Sequence, residues 1–361
     1  MNTNPDCKYN DLFVFLSKEL NWHLARIKFF GLMICALCQT QTVNYQKLAV
    51  CLDSKAKIES NLRRIQRFFA EFDLDFDLIS SLIFKLLPER PPFRLSMDRT
   101  NWKFGVVHIN ILMLSVVYKG VALPLMWTLL HRAGNSDTQE RIDLINRYIR
   151  LFGKENIKHL LADREFVGGE WFAYLISNKI LFHIRIRENF EVNIPGKGIV
   201  KAFRIFNNLP LNTGYNYSKI VFLKGNLVYL SGMKIIGKNG KLEFVIIASY
   251  YFSYDSLPNY KERWQIETLF KALKTSGFNI EDTHLTDLDR INRLLVLVAI
   301  TFVWSYLTGI YRHENIEPII IKKHGRRAHS FFAFGLALIA KALYNSNVAL
   351  FIVCLKLLSC T

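Results

Sequence analysis

The chain has 361 residues, 51% of them hydrophobic and 21% charged, enough for two domains or one elaborated domain around a sizeable core. Its formal charge of +17, from 47 basic and 30 acidic residues, turns attention from neutral small-molecule chemistry towards nucleic acid or an anionic membrane surface. Six cysteines are sparse for this length and fit a reducing cytoplasm, and MNTNPDCKYND lacks the basic start and apolar run of a signal peptide.

Residues 10 to about 88 read as helices, with apolar positions at helical spacing through DLFVFLSKEL and RIKFFGLMICALC. Cys35 and Cys38 form a CxxC inside the second run, with no second pair nearby, so buried thiols are expected rather than a zinc site. TVNYQKLAVCLDSKAKIESNLRRIQRFF reads as a helix, a polar break near Asp53–Ser54 and a second helix. Lys55, Lys57, Arg63, Arg64 and Arg67 fall on that second helix. This suits a helix-turn-helix-like element entering a DNA groove, and equally an ordinary basic helix of a bundle.

PERPP, Pro88–Pro92, ends the helical region, because paired prolines stop a helix and force extended backbone. FRLSMD, the following run to Tyr118 and VALPLMWTLL then read as three strands, the last two a hairpin about Lys119–Gly120. Asn135–Phe152 has helical spacing, IKHLLAD reads as a strand, GGEWFAYLISNK as a helix and ILFHIRIR as a strand with Arg185 and Arg187 on one face. From about Glu191 to Gly240, short β-rich runs such as IVKAFRIF alternate with Gly and Asn turns and read as an insertion. EFVIIASYY resumes the main pattern as a strand.

YKERWQIETLFKALK, Tyr260–Lys274, reads as one helix. At ~100° per residue, Tyr260, Arg263, Lys271 and Lys274 lie within about 40° of Glu267, and Ile266, Leu269, Phe270 and Leu273 lie on another face. The stripe is either a solvated face with helix-supporting charge pairs, or a metal-binding carboxylate among phosphate-gripping cations. Further on, LLVLVAITFVWSYLTGI, Leu294–Ile310, carries no charge but is interrupted by Thr301, Ser305, Tyr306 and Thr308. It is expected to be a core helix rather than a membrane span. Lys322, Lys323, Arg326 and Arg327 form a basic cluster before an apolar helix and are candidate phosphate contacts.

Two more carboxylates stand out by position. Asp98 is expected at the end of the strand FRLSM, and Asp163 at the end of IKHLLA. Side chains there and on a covering helix can converge, and three hard oxygen donors suit one or two Mg²⁺ ions.

Taken in order, SMDRTNW, LLADREFVGGEW, the Y-x2-R-x3-E-x6-K pattern at Tyr260, Arg263, Glu267 and Lys274, and KKHGRRAHSFFAFGL resemble the bacterial insertion-sequence DDE transposases that carry the YREK signature. The resemblance covers about residues 94–336. It implies an α/β, RNase H-like mixed five-stranded sheet flanked by helices and interrupted by a β-rich insertion. Residues 1–88 would be a helical DNA-binding region, 93–285 the catalytic core with its insertion at about 190–241, and 286–361 a C-terminal helical region. Asp98, Asp163 and Glu267 would be the catalytic, Mg²⁺-binding triad, with Mn²⁺ able to substitute. Tyr260, Arg263 and Lys274 would contact the DNA backbone near the cleaved bond.

The implied activity is cut-and-paste transposition in the bacterial cytoplasm, on double-stranded DNA ends and target DNA, by a homodimer, through hairpin ends. Relatives stack a flipped base on aromatic side chains. Here no tryptophan lies between Trp171 and Trp264, which leaves Phe222 or Tyr229 as the insertion's candidates. Trp102 and Trp127 are expected in packing roles. The competing readings are an end-binding protein that does not cut, a nuclease of the same fold without strand transfer, and a membrane protein.

Overall fold

The computed structural model describes residues 5–358 other than Lys238, Ser276 and His324; Cys360 and the side chain of Cys7 lie outside the described residues. Five helices come first: α1 (Pro5–Glu19), α2 (Leu24–Thr40), α3 (Tyr45–Cys51), α4 (Ile58–Glu71) and α5 (Phe76–Leu86). Asn44 caps α3 and Asp75 caps α5 by accepting backbone N–H bonds, as their side chains favour. The turn from α3 to α4 is pinned by buried Asn61, which accepts from Ser54 at 2.8 Å and donates to the Ala49 carbonyl at 3.5 Å. Cys35 and Cys38 are buried thiols.

Strands β1 (Phe93–Phe104), β2 (Val107–Tyr118) and β3 (Val121–Leu130) form an antiparallel meander. Next come α6 (Thr138–Phe152), β4 (Ile157–Ala162), α7 (Gly169–Ser177) and β5 (Phe182–Ile186). Asp137 and Glu140 close a capping box at the start of α6. β4 runs parallel to β1, and β5 parallel to β4, through helical crossovers. The insertion supplies β6 (Glu191–Ile194), β7 (Gly198–Lys201), β8 (Gly214–Leu223) and β9 (Asn226–Ile236), and β10 (Leu242–Ser249) returns to the core.

The expected five-stranded sheet is one half of a larger one. A single ten-stranded sheet runs in the order β3-β2-β1-β4-β5-β10-β9-β8-β6-β7. It is continuous because β10 pairs antiparallel with β5 and so offers its other edge to the insertion. Two local expectations also change. IVKAFRIF is a strand only to Lys201, then a tight turn over Ala202–Ile205 that tucks Phe206 against Gly232, where an added Cβ would lie 2.8 Å from the ring. Asp98 does not end its strand: β1 continues to Phe104 on β2 after β4 has stopped at Ala162.

The last helices are α8 (Ser256–Lys261), α9 (Gln265–Lys274), α10 (Leu288–Asn315), α11 (Phe331–Tyr344) and α12 (Val348–Lys356). The two helical regions read separately from the sequence share one core. α2 packs on α10 and α11, α4 on α10, and α1 on α12. Arg293 donates to the Phe69 and Ala70 carbonyls at 3.0 and 3.2 Å, and Tyr344 donates to the Gln39 carbonyl at 2.9 Å. Among the described residues α10 alone is long and apolar enough to cross a membrane, and 89% of its most apolar stretch is covered by protein.

α10 and α11 meet backbone to backbone at Gly309 and Gly335. A Cβ on Gly309 would fall 1.8 Å from the Phe331 carbonyl oxygen. Gly309→Ala is therefore expected to lower unfolding free energy by about 1–3 kcal/mol, read from urea unfolding. An unchanged midpoint would mean that the helices separate freely.

Candidate active site

β1 and β4 carry two of the carboxylates to neighbouring positions. Their parallel register ends on the pair Met97 and Ala162, so Asp98 and Asp163 follow side by side where β4 stops. Each accepts the next residue's backbone N–H, from Arg99 at 2.7 Å for Asp98 and from Arg164 for Asp163. The third carboxylate, Glu267, sits in the first turn of α9, whose buried face of Ile266, Leu269, Phe270 and Leu273 lies against the sheet.

The three carboxylates converge on one side chain. Arg263 donates from Nη1 to Asp98 Oδ2 at 2.8 Å and from Nη2 to Glu267 Oε1 at 2.6 Å, and its Nη2 lies 3.9 Å from Asp163 Oδ2. The guanidinium is buried, its side chain only 4% exposed, and its Nε has no partner among the described residues. Burial works against the Arg263 charge, but Tyr260 and the carboxylates hold its pKa above the ordinary value. Burial pushes the Asp98 carboxyl up to about 6, with Asp163 and Glu165 adding to the rise while Arg263 and the Arg99 N–H oppose it.

This geometry corrects the expected stripe. Tyr260–Lys274 is not one helix: a 3₁₀ turn at Glu262–Trp264 separates α8 from α9. Arg263 keeps the expected pairing with Glu267 four residues on, but it and Tyr260 face inward, 3% and 5% exposed. Lys271 stays exposed. Lys274 is held, donating to the Asn101 carbonyl at 2.8 Å, paired with Glu281 at 2.9 Å and lying over the Trp102 ring. The packing roles expected of Trp102 and Trp127 hold, since both are buried.

Arginines that the sequence reading passed over fix the loop after Asp163. Arg99 reaches Glu165 at 3.2 Å and also bonds Asn110 and Asn135. Buried Arg141 donates to the Glu165 carbonyl at 3.2 Å and covers the Phe166 ring. Their signal was the second acid in LLADREF, which is without purpose until its partners are known.

Below the carboxylates lies a polar floor. Alternation and register put Arg94, His159 and His183 on the face that carries Asp98 and Asp163. Arg94 pairs with Glu262 at 2.7 Å, and His183 bonds Ser249 at 2.8 Å and approaches Asn259 of α8 at 3.4 Å. Burial lowers the pKa of His183 to about 3 and of His159 to about 4. Between those values and the ordinary 6.5, the unfolded chain binds protons that these rings refuse. Stability is therefore fully present above 6.5 and falls as pH drops below it, by roughly 1 kcal/mol per unit for each ring. His183→Gln should lose less stability between pH 7 and pH 5 than the wild type in urea unfolding. Equal losses would remove these rings as the cause.

Around the site, Arg164, Arg185 and Arg187 line a depression of about 390 Å³ with Glu188 and Glu243. Beside it, a cavity of about 600 Å³ lies between the insertion strands and α8, lined by Arg185, Asn216, Met233, Tyr254, Tyr260 and Trp264 among others. Trp264 is half exposed, Tyr254 is 78% exposed, and Asn216 Oδ1 is buried with no partner among the described residues. Phe222 and Tyr229 do not line this cavity; Tyr229 packs on Phe252. The indole that does line it, Trp264, belongs to the 3₁₀ turn. At ~100° per residue Trp264 already lay about 60° from Glu267, which was the available signal.

The remaining candidates stand on other elements. Lys57, Arg63, Arg64 and Arg67 are exposed on or just before α4, whose buried face packs on α3 and α10. Lys322, Lys323, Arg326 and Arg327 are exposed in a turn closed by a bridge between Ile321 and Arg327.

Asp98, Asp163 and Glu267 have the hard oxygen chemistry that Mg²⁺ or Mn²⁺ takes, and they already share a single positive charge. Among the described residues no three acids, histidines or cysteines stand as a ready metal cluster, and Arg263 occupies the point where these three meet. Comparison with known families matches residues 94–304, from β1 into α10, to a family described as the transposase DDE domain. No curated protein matches the chain.

Proposed function

The chain belongs to the transposase DDE-domain family, and on that premise we propose that it binds the terminal inverted repeats of a bacterial insertion sequence and cuts and rejoins DNA there. Membership makes it a transposase- or nuclease-type enzyme with DNA as its partner. The observation that carries the finer reading is the convergence of Asp98, Asp163 and Glu267 on one buried cation. The mixed order β3-β2-β1-β4-β5 supports an RNase H-like core.

In this reading the triad holds Mg²⁺, or Mn²⁺ in its place, which supplies Lewis-acid stabilisation of charge during phosphodiester displacement. The protein's own residues set the geometry. Arg99 and Arg141 fix the loop carrying Asp163, and the apolar face of α9 fixes Glu267. To bring positive charge to the backbone beside the reacting bond, Arg263 and Lys274 would exchange the carboxylate and carbonyl partners they hold here for phosphate oxygens. Arg164, Arg185 and Arg187 extend that surface, and Lys57, Arg63, Arg64 and Arg67 on the helix-turn-helix-like α3–α4 pair grip the repeat.

Water attacks phosphorus, the P–O3′ bond breaks, and the 3′ oxygen leaves as a hydroxyl. That hydroxyl attacks the phosphorus joining the opposite strand to flanking DNA, displacing the flanking 3′ oxygen and closing a hairpin; a second water reopens it by breaking the same P–O3′ bond, and the freed 3′-OH attacks a target phosphorus with loss of a target 3′ oxygen. A hairpin strains its terminal bases, and the cavity beside Trp264 and Tyr254 takes the base that flips out. Stacking returns ~1–3 kcal/mol against a flipping cost of a few kcal/mol. Asn216 lines the same cavity. The protein acts as a homodimer in the cytoplasm, with residues 1–88 serving end recognition, 93–285 catalysis and 286–361 support.

The test is cleavage of labelled DNA carrying the element's own ends, in Mg²⁺ and in Ca²⁺. End-specific nicking in Mg²⁺ alone is expected, with Trp264→Ala nicking normally but accumulating few hairpins. Tight end binding without any cut would favour the binding-only reading. Nicks never followed by joining would favour a nuclease.

A further inference from the structure

We propose that Lys119, Lys271 and Arg327 form one phosphate pocket that grips the DNA strand lying across Glu267, one to two nucleotides from the reacting bond; this rests on the DNA-processing reading above. A cavity of about 460 Å³ lies between the β2–β3 turn, α9 and the segment entering α11. Those three cations come to it from three distant parts of the chain, and neither Asp nor Glu is among its lining residues. The hydroxyl-bearing Thr268 and Ser330 also line it.

The walls are held in place. The Gly120 N–H bonds Gln265 Oε1 at 3.1 Å, which ties the turn to the start of α9. Tyr306 donates to the Tyr118 carbonyl at 3.0 Å on the other side of the turn. The Arg327 guanidinium lies 4.3 Å from the centre of the Phe331 ring. Lys119 pairs with Glu314 at 3.4 Å, but both are about half exposed, so that pair is weak and yields readily to a phosphate.

The spacing suits a strand in the active site. Lys271 follows Glu267 by one helical turn, about 5.4 Å of rise, and a DNA strand presents a phosphate about every 3.4 Å of axis. A strand with its reacting phosphate at the triad therefore brings the next one or two phosphates to the cavity. Three cations around one opening, without a carboxylate among the lining residues, match such a ligand.

The test uses the full chain and a labelled duplex carrying the element's ends, with binding measured in Ca²⁺ over a range of salt. Lys119→Gln and Arg327→Gln should each weaken binding several-fold and lower the salt slope by about 1, with thermal unfolding unchanged. A neutral methylphosphonate walked along the strand should weaken the wild type at one or two positions beside the cleaved bond. At those positions Lys119→Gln should be indifferent. Variants that match the wild type in affinity and slope would overturn the pocket. So would weakening without a position at which the modification and the variant fail to add. A wild type that binds no DNA at all would instead bring down the reading on which the pocket rests.

Discussion

Replacing Glu267 by glutamine is expected to lower Mg²⁺-dependent cleavage of element ends by roughly a thousandfold or more, with end binding within a few-fold of the wild type. The magnitude follows from what the carboxylate would hold. Metal-assisted charge stabilisation contributes several kcal/mol, and each 1.36 kcal/mol is a factor of ten in rate. The substitution keeps size and removes charge. Glu267 sits at the start of α9, its side chain 40% exposed, so the fold should tolerate the change. Asp98→Asn should fail to cut as completely. Quantitative strand cleavage and a binding titration on the same preparations decide the matter. Cleavage within tenfold of the wild type would remove Glu267 from the chemistry, and lost binding would give it a DNA-holding role instead.

Replacing Arg263 by alanine is expected to destabilise the metal-free protein by about 1–3 kcal/mol, because it leaves partly enclosed carboxylates without their shared partner. Asp98 takes the largest loss, since it is the most enclosed of the three carboxylates, 14% exposed. Urea unfolding in chelator measures the loss. Mg²⁺ should then recover more stability in the variant than in the wild type, because a cation binding only the folded state stabilises it by mass action. Were Arg263 only a DNA contact, as the sequence resemblance implies, its removal would leave stability unchanged and cost only binding. Lysine is a poor substitute, because one ammonium cannot bridge three carboxylates as the planar fork does.

Much of the architecture was legible because it depends on local signals. Alternation in FRLSMD and FHIRIR, helical spacing in the first 88 residues, and the prolines of PERPP each act over a few residues. The β-rich insertion was legible through its Gly and Asn turns. Its place in the sheet was not, because pairing of β10 with β5 joins segments far apart in the chain. Residues 1–88 and 286–361 were separable by pattern but not in space. The apolar face of α2 says that something covers it, without saying that α10 and α11 do.

By itself, the sequence determined that two acids stand on or just after core strands and a third on a helix over a basic, mixed α/β chain, though not that Asp98 lies inside β1, level with the end of β4. It determined the charge-free run that becomes α10, and the alternation of Arg185 and Arg187. The tertiary structure alone decided where charge and aromatic groups point. Packing of Tyr260–Trp264 under the sheet edge buries Arg263 among the carboxylates, still paired with Glu267 four residues on, and leaves Trp264 half exposed beside a cavity. A helical wheel gives directions about one helix axis, and only packing decides which of those directions face protein and which face solvent. Lys119, Lys271 and Arg327 share a cavity for a related reason: each is an ordinary surface cation in the sequence, and only packing of the β2–β3 turn, α9 and the approach to α11 puts them around one space.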